Sequence, residues 1–246
     1  AVEIAVKGCK GGHSGIQIVC QRANANKLLF RLLRKLAAKM EIKLASVDGG
    51  GLRNAIPRES VAVVLVKAAE MEALQAEVAA FETMAIAEYA AVEDAISVKA
   101  EATAIPANVI PCQVAKSLMA AMVACPDGVD KMSLAMEGLV QTSNNMARVV
   151  SDGSSVKVQC LTRSSVRSEK EALTDAIKAV LEMAGFEVAL SGSYDGWAPN
   201  MESPILKAME EHTASMRATS HGVRCIGGIP ASTVRISGLW SSLQRI

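Results

Sequence analysis

Aromatic side chains are scarce in this sequence, which has three Phe, two Tyr and two Trp among 246 residues. The interior must therefore be filled by aliphatic side chains and by twelve methionines, which pack adaptably but specify a core weakly. Half of the residues are apolar, which is enough for a real core in one large or two small domains.

Long apolar runs and an excess of one charge are also missing. The longest apolar runs are residues 61–66 and 118–125, far below the ~20 residues of a membrane helix. Residues 1–10 lack the pattern of a signal peptide, so we predict a cytoplasmic protein without a membrane partner. The formal net charge of +1, with acids and bases evenly mixed, argues against a nucleic-acid partner.

No pair of cysteines has the C-x-x-C spacing. Scattered cysteines are typical of free thiols in a reducing compartment, and we expect no disulfides. A cysteine protease is disfavoured, because no cysteine stands in a recognisable nucleophile context. The six cysteines are Cys9, Cys20, Cys112, Cys125, Cys160 and Cys225.

The first half of the chain alternates between strand and helix patterns. Residues 2–7 have the two-residue period of a half-buried strand, and Asn24 is a suitable N-cap for a helix with one apolar face. Two strand patterns, a second long helix and a closing strand follow. This order is that of the split βαβ arrangement, an antiparallel sheet with two helices on one face. The segments are a helix from 24 to 40, strands at 42–47 and 61–66, a helix over 71–85 and a strand at 96–100.

A second, partial copy of this order follows a proline-bounded connector. It has a helix over 114–122, strands within 132–150 and at 156–162, a further helix and a last strand at 186–190. Ser168 and Glu171 form a capping box that predicts the start of the last helix. The predicted fold class is therefore α+β, a doubled ferredoxin-like antiparallel sheet with halves at about 1–104 and 111–195.

Three short stretches near the start of the chain form a specific pattern. Residues 10–15 read Lys-Gly-Gly-His-Ser-Gly, residues 22–29 read Arg-Ala-Asn-Ala-Asn-Lys-Leu-Leu, and residues 48–59 read Asp-Gly-Gly-Gly-Leu-Arg-Asn-Ala-Ile-Pro-Arg-Glu. In this order and spacing they resemble the lid domain of the aminoacyl-histidine dipeptidases, two-zinc enzymes of the peptidase D type in the aminoacylase and carboxypeptidase clan. Looser agreement continues through residues 141–145, 160–165, 184–185 and 192–199.

The resemblance covers about residues 1–220 and implies a domain division. Residues 1–199 correspond to the lid or dimerisation domain, and residues 200–246 to a remnant of the catalytic domain followed by an unmatched tail. Beyond residue 228 the similarity is lost, and we expect that tail to be unfolded or opportunistically packed. Lids of this clan commonly pair, so the resemblance implies a homodimer.

His13 lies in a glycine-flanked loop directly after a predicted strand, where little side-chain bulk obstructs a ligand. Taken alone, a loop histidine is more often solvated than catalytic. In the resembling family, a lid histidine at this place donates to the oxyanion of the tetrahedral intermediate, so the resemblance makes His13 a catalytic candidate.

Asn54 and Arg163 are the candidate substrate-binding residues. By itself, Asn54 is a turn asparagine that satisfies its own backbone, and Arg163 is a strand-edge arginine in solvent. The resemblance implies that Asn54 binds the substrate near its scissile group or C-terminal carboxylate. It further implies that Arg163 clamps that carboxylate with its bidentate guanidinium.

The metal ligands of the family are absent from the sequence, which has no His-x-Asp, Gly-Ala-Asp-Asn or Gly-Pro-His-Ser-Pro element. We therefore assign no metal ligand and no cofactor to this chain, although zinc serves the resembling full-length enzymes. Glu210 and Glu211 imitate the family's paired glutamates only in composition. A zinc site on His212, His221 and Cys225 fits no standard spacing.

The sequence thus predicts a truncated, metal-dependent dipeptidase that keeps the dimerising, substrate-clamping lid, lacks the zinc site and is not hydrolytic alone. Its expected partners are a second copy of itself, a full-length dipeptidase subunit and, weakly, a small peptide. The alternative is a stand-alone interaction protein that was repurposed from the lid and acts through a partner protein.

Overall fold

A nine-stranded antiparallel sheet and four helices organise the described part of the computed structural model. The structure describes residues 1–193, 202–205, 207–209, 231–239 and 244–245. The helices are α1 (Ala25–Lys39), α2 (Met71–Tyr89), α3 (Cys112–Ala124) and α4 (Arg167–Met183). The strands are β1 (Val2–Lys7), β2 (Gly12–His13), β3 (Lys43–Gly50), β4 (Ala55–Ile56), β5 (Ser60–Leu65), β6 (Ser97–Ala102), β7 (Asn108–Val109), β8 (Gly128–Met132), β9 (Val140–Ser151), β10 (Ser155–Ser164), β11 (Glu187–Ser191), β12 (Ala231–Leu239) and β13 (Gln244–Arg245).

The large sheet is continuous across both halves of the chain. Its strand order is β11-β12-β10-β9-β3-β5-β1-β6, and β8 pairs with β9 in addition. The junction between the halves is the pairing of β3 with the second part of β9, where Gly50 is opposite Arg148. The predicted α+β class with an antiparallel sheet is confirmed. The doubled ferredoxin-like detail stays a prediction, because the strand between β10 and β11 comes from residues 231–239.

Helix α1 begins where the sequence predicts. The Asn24 side chain caps it by accepting hydrogen bonds from the main-chain N–H groups of Asn26 at 3.0 Å and Lys27 at 3.4 Å. The helix contacts α2, α3 and strands of both halves, so its apolar face forms the centre of the core. Five leucines on that face are completely buried, namely Leu28, Leu29, Leu32, Leu33 and Leu36.

Lys27, on the first turn of α1, ties this helix to the end of α3. Its Nζ donates to the main-chain carbonyls of Met122 at 2.8 Å, Val123 at 2.9 Å and Cys125 at 2.7 Å. These carbonyls belong to the last turn of α3, where no further helical N–H groups are available to them. A cation at a helix C-terminus is also favoured by the helix dipole.

Asp127 extends the same connection to β9. Its Oδ1 accepts hydrogen bonds from the main-chain N–H of Met146 at 2.7 Å and from Nδ2 of Asn24 at 3.0 Å. Burial raises the pKa of the Asp127 carboxyl, while the Met146 N–H and the charge of Lys27 oppose that rise. Burial lowers the pKa of the Lys27 ammonium, and Asp127 opposes that change in turn. The two halves are therefore joined by polar contacts as well as by the sheet.

The capping box predicted for α4 is wrong. The helix begins at Arg167 with Val166 as its N-cap, and the cap residue makes no side-chain hydrogen bond. Ser164 Oγ accepts the N–H of Val166 at 3.0 Å, so the chain enters the helix before Ser168. Glu171 pairs with Arg167 at 2.9 Å instead of returning to Ser168.

The C-terminal region contributes to the sheet. Residues 231–239, which we expected to be unfolded or opportunistically packed, form β12 and pair with both β10 and β11. Residues 204–205 and 207–209 are helical, and the Lys207 N–H donates to the Ser203 carbonyl at 3.2 Å. Across the described ranges, every helix is too short or too polar to cross a membrane.

Candidate functional site

The loop that carries His13 is attached to the loop that carries Asn54. Strand β2 pairs with β4, which places His13 opposite Ala55. The main-chain N–H of Ser14 donates to the Asn54 carbonyl at 2.8 Å. The chain then turns, because the N–H of Gln17 donates to the His13 carbonyl at 2.8 Å. Two of the three predicted site residues are thus neighbours in space.

The backbone determines which nitrogen of the His13 imidazole carries a proton. Nδ1 accepts hydrogen bonds from the main-chain N–H groups of Gly15 at 3.1 Å and Ile16 at 3.2 Å. An imidazole nitrogen that accepts two N–H groups has no proton, so the neutral ring carries its proton on Nε2. His13 is therefore held as a hydrogen-bond donor through Nε2.

Arg163, near the end of β10, reaches the same loop. A side chain built at Gly15 would lie 3.1 Å from Cε1 of His13 and 3.3 Å from Cζ of Arg163. The imidazole and the guanidinium thus flank one glycine, and any larger residue there would come between them. The structure brings together all three residues that the sequence singled out, His13, Asn54 and Arg163.

The Asn54 side chain is exposed to solvent beside this pair. That side chain makes no hydrogen bond within the described ranges. Its isolation disfavours the interpretation of Asn54 as a turn asparagine that bonds to its own backbone. Its amide is available to a ligand.

Sequence reasoning missed Asn145 on β9. This buried side chain donates from Nδ2 to the main-chain carbonyls of Arg53 at 3.2 Å and Ala55 at 2.9 Å, on the two sides of Asn54. The available signal was an asparagine in the interior of a strand, where this residue type is depleted.

Further basic side chains surround the two loops. Nη1 of Arg22 donates to the Gly11 carbonyl at 2.6 Å, and the Arg58 side chain packs against Gly11. Nη1 of Arg53 lies 3.9 Å from the point that a side chain at Gly192 would occupy. The sequence offered no role for Arg53 or Arg58. Together with Arg163, these groups favour an anionic ligand.

The buried thiols of Cys9 and Cys160 do not offer a competing nucleophile. Burial, followed by the charge of Glu93, raises the pKa of the Cys9 thiol to about 12. The hydrogen bond with Cys125 and then burial raise the pKa of the Cys160 thiol. Because the thiolate is the reactive form, these groups stay protonated and inert near neutral pH.

Metal ligands do not converge in the described ranges, where no three His, Cys, Asp or Glu side chains come together. We therefore derive no metal-dependent step from these residues. Glu210, Glu211, His212, His221 and Cys225 lie outside the described residues.

The comparisons with known proteins concern the chain as a whole. Residues 4–93 match the family model described as peptidase dimerisation domain. The chain is 32% identical over 209 residues to the cytosol non-specific dipeptidase of Escherichia coli (strain K12). The crystal structure of aminoacylhistidine dipeptidase from Vibrio alginolyticus has 33% sequence identity and a TM-score of 0.82. The chain is therefore similar to the dimerisation-domain portion of these dipeptidases.

Both relatives are longer than this chain. The match to the E. coli protein covers 85% of this chain and 43% of the relative, and the match to the Vibrio structure covers 93% of this chain and 45% of the other. The chain thus spans less than half the length of the dipeptidases that it resembles. The dimerisation-domain portion predicted from the three motifs is confirmed.

Proposed function

We propose that this chain is the dimerising and substrate-clamping portion of a metal-dependent dipeptidase and that it is not hydrolytic alone. The observation that carries the proposal is that His13 and Arg163 flank Gly15 while the Asn54 carbonyl accepts the N–H of Ser14, the residue between His13 and Gly15. The similarity to two dipeptidases supports a dipeptide as the ligand. Zinc chemistry would belong to another segment, because the sequence lacks the family's ligand motifs.

Each residue has a role that its geometry supports. The Arg163 guanidinium offers a planar fork to the C-terminal carboxylate of a dipeptide. Nε2–H of His13 is fixed as a donor for a carbonyl oxygen that gains negative charge. The exposed Asn54 amide is available to the peptide group of the same ligand.

We expect an aminoacyl-histidine dipeptide to bind with a Kd of about 1 mM, since the Asn54 side chain is exposed to water and exposed polar contacts contribute little. Arg163→Ala should weaken this binding by about tenfold, because a charge-assisted hydrogen bond is lost. Titration calorimetry would measure both affinities.

Arg167→Ala is the matched control, because Arg167 is an exposed arginine paired with Glu171 on α4. Its affinity should equal that of the unmodified chain. Micromolar binding that survives Arg163→Ala would mean that a different site is used, and the interaction-protein hypothesis would then replace this proposal.

The proposed homodimer has a suitable surface on α2 beside the edge strand β6. The buried side of α2 holds Leu74, Val78, Phe81 and Ala85. Its other side is exposed and also largely apolar, whereas a helix on the surface of a monomer is normally polar there. The exposed residues include Ala73, Ala76, Ala79, Ala80, Thr83, Met84, Ile86 and Ala87.

We expect the chain to be a dimer by light scattering at tens of micromolar, and Ala80→Glu to convert it to a monomer. A charged side chain in the middle of this surface would have to be buried without a partner in the dimer. Ala176→Glu, on the exposed side of α4, is the control that should leave the dimer intact. A wild-type monomer, or an Ala80→Glu dimer, would show that α2 is not the interface.

A further inference from the structure

Asn145 lies where the second half of the chain touches the loop that carries Asn54. Its side chain is 1% exposed. Both accepting groups are main-chain carbonyls, so the side-chain nitrogen must face them and the amide orientation is determined. Oδ1 of Asn145 has no hydrogen-bond partner within the described residues, so the two donated bonds are what holds the group.

The two accepting carbonyls belong to Arg53 and Ala55 and therefore fix the backbone on both sides of Asn54. The Asn54 carbonyl in turn accepts the N–H of Ser14, the residue after His13. A chain of hydrogen bonds thus runs from β9 through the Asn54 loop to the His13 loop. Removal of the donor would leave two carbonyls unpaired beside the site.

The neighbouring residue Asn144 provides a comparison within the same strand. It is also 1% exposed, but its Nδ2 donates to the Pro126 carbonyl at 2.7 Å and its Oδ1 accepts from Thr162 Oγ1 at 3.1 Å. Successive side chains on a strand point to opposite faces, so Asn144 and Asn145 serve different sides of the sheet. Of these two amides, only that of Asn145 contacts the Asn54 loop.

We propose that Asn145 is a positioning residue that holds Asn54 and His13 in the geometry needed to bind a dipeptide. The proposal rests on the proposed function for its ligand. Arg163 lies on β10, and its placement follows from the strand pairing of β10 with β9 rather than from the Asn54 loop. Asn145 therefore bonds to the Asn54 loop and not to Arg163, which lies two residues along β10 from Leu161, the residue opposite Asn145.

The first experiment needs no ligand and compares Asn145→Asp with Asn144→Asp. Each change keeps the shape of the side chain and removes its amide donors. Amide hydrogen exchange of Ser14, whose N–H is bonded to the Asn54 carbonyl, should accelerate by about tenfold in Asn145→Asp. It should stay at the wild-type rate in Asn144→Asp. If either variant fails to fold, the alanine pair Asn145→Ala and Asn144→Ala replaces it.

The second experiment measures dipeptide affinity in double-mutant cycles. Asn145→Ala and Asn54→Ala should each weaken binding, and the fold-change caused by Asn145→Ala should be smaller in the Asn54→Ala background than in the unmodified chain, because only its effect through His13 remains. The coupling of Asn145→Ala to Arg163→Ala should be smaller than its coupling to Asn54→Ala, because Asn145 makes no hydrogen bond to Arg163. If Asn145 had only a structural role, its coupling free energy with Asn54 and its coupling free energy with Arg163 would be equal.

Unchanged Ser14 exchange in both Asn145 variants overturns the inference, as does equal coupling of Asn145 to Asn54 and Arg163. If the unmodified chain binds no dipeptide, the proposed function fails. The exchange experiment then decides alone whether Asn145 positions the loop.

Discussion

Gly50→Ala should destabilise the protein by about 3 kcal/mol or more. Gly50 has a φ of +75°, in the left-handed region that other residues enter at a cost. An added Cβ would also lie 1.9 Å from the main-chain oxygen of Ala147, a group that cannot rotate away. Since Gly50 is opposite Arg148 where β3 meets β9, relief of this clash requires that the two halves of the sheet separate.

Gly51→Ala is the matched control for this change. Gly51 is the next residue, its φ lies outside the left-handed region, and a Cβ there would have no atom within 4 Å. We expect the free energy of unfolding of Gly51→Ala to stay within about 0.5 kcal/mol of the unmodified chain. Urea unfolding followed by circular dichroism would measure both variants, and equal midpoints would contradict the predicted strain at Gly50.

The fold was largely readable from local patterns. The alternation in β1 and the leucine spacing of α1 each depend on residues that are close together in the chain, and both elements are present. Asn24 was recognisable as an N-cap because its role also needs only the next residues. The capping box predicted at Ser168 was wrong, because Ser164 in the preceding strand accepts the N–H of Val166 and the helix begins before Ser168.

The site was readable only in part. His13 and Asn54 come from glycine-rich motifs that mark loops, and Arg163 comes from the end of a strand. Their proximity depends on the sheet, because His13 and Arg163 flank Gly15 and the Asn54 carbonyl accepts the N–H of Ser14. Asn145 was missed because its partners are set by the pairing of β9, which periodicity does not reveal. This pairing includes an irregularity of register between β9 and β10, at Gln159 and Cys160.

Lys27 was read only as part of the motif at residues 22–29, since its three accepting carbonyls lie about a hundred residues away in sequence. We expect Lys27→Met to destabilise the protein by about 2–3 kcal/mol. Methionine keeps the apolar length of the side chain but leaves the carbonyls at the end of α3 without their donor. Lys39→Met is the control for replacing a lysine of α1 by methionine, because Lys39 makes an exposed ion pair with Glu77. It should change the free energy of unfolding by no more than about 0.5 kcal/mol.

The charge of Lys27 also acts on Asp127, and a double-mutant cycle separates this effect from the capping of α3. In Lys27→Met the Asp127 carboxylate keeps its hydrogen bonds from Met146 and Asn24 but loses a cation that favours its charged form. Asp127→Asn removes the charge while an amide oxygen can still accept both bonds. Urea unfolding should therefore show that Asp127→Asn costs less in the Lys27→Met background than in the unmodified chain, by about 1 kcal/mol. Additive effects would show that Lys27 stabilises the junction through the α3 carbonyls alone, and that its electrostatic coupling to Asp127 does not contribute to folding.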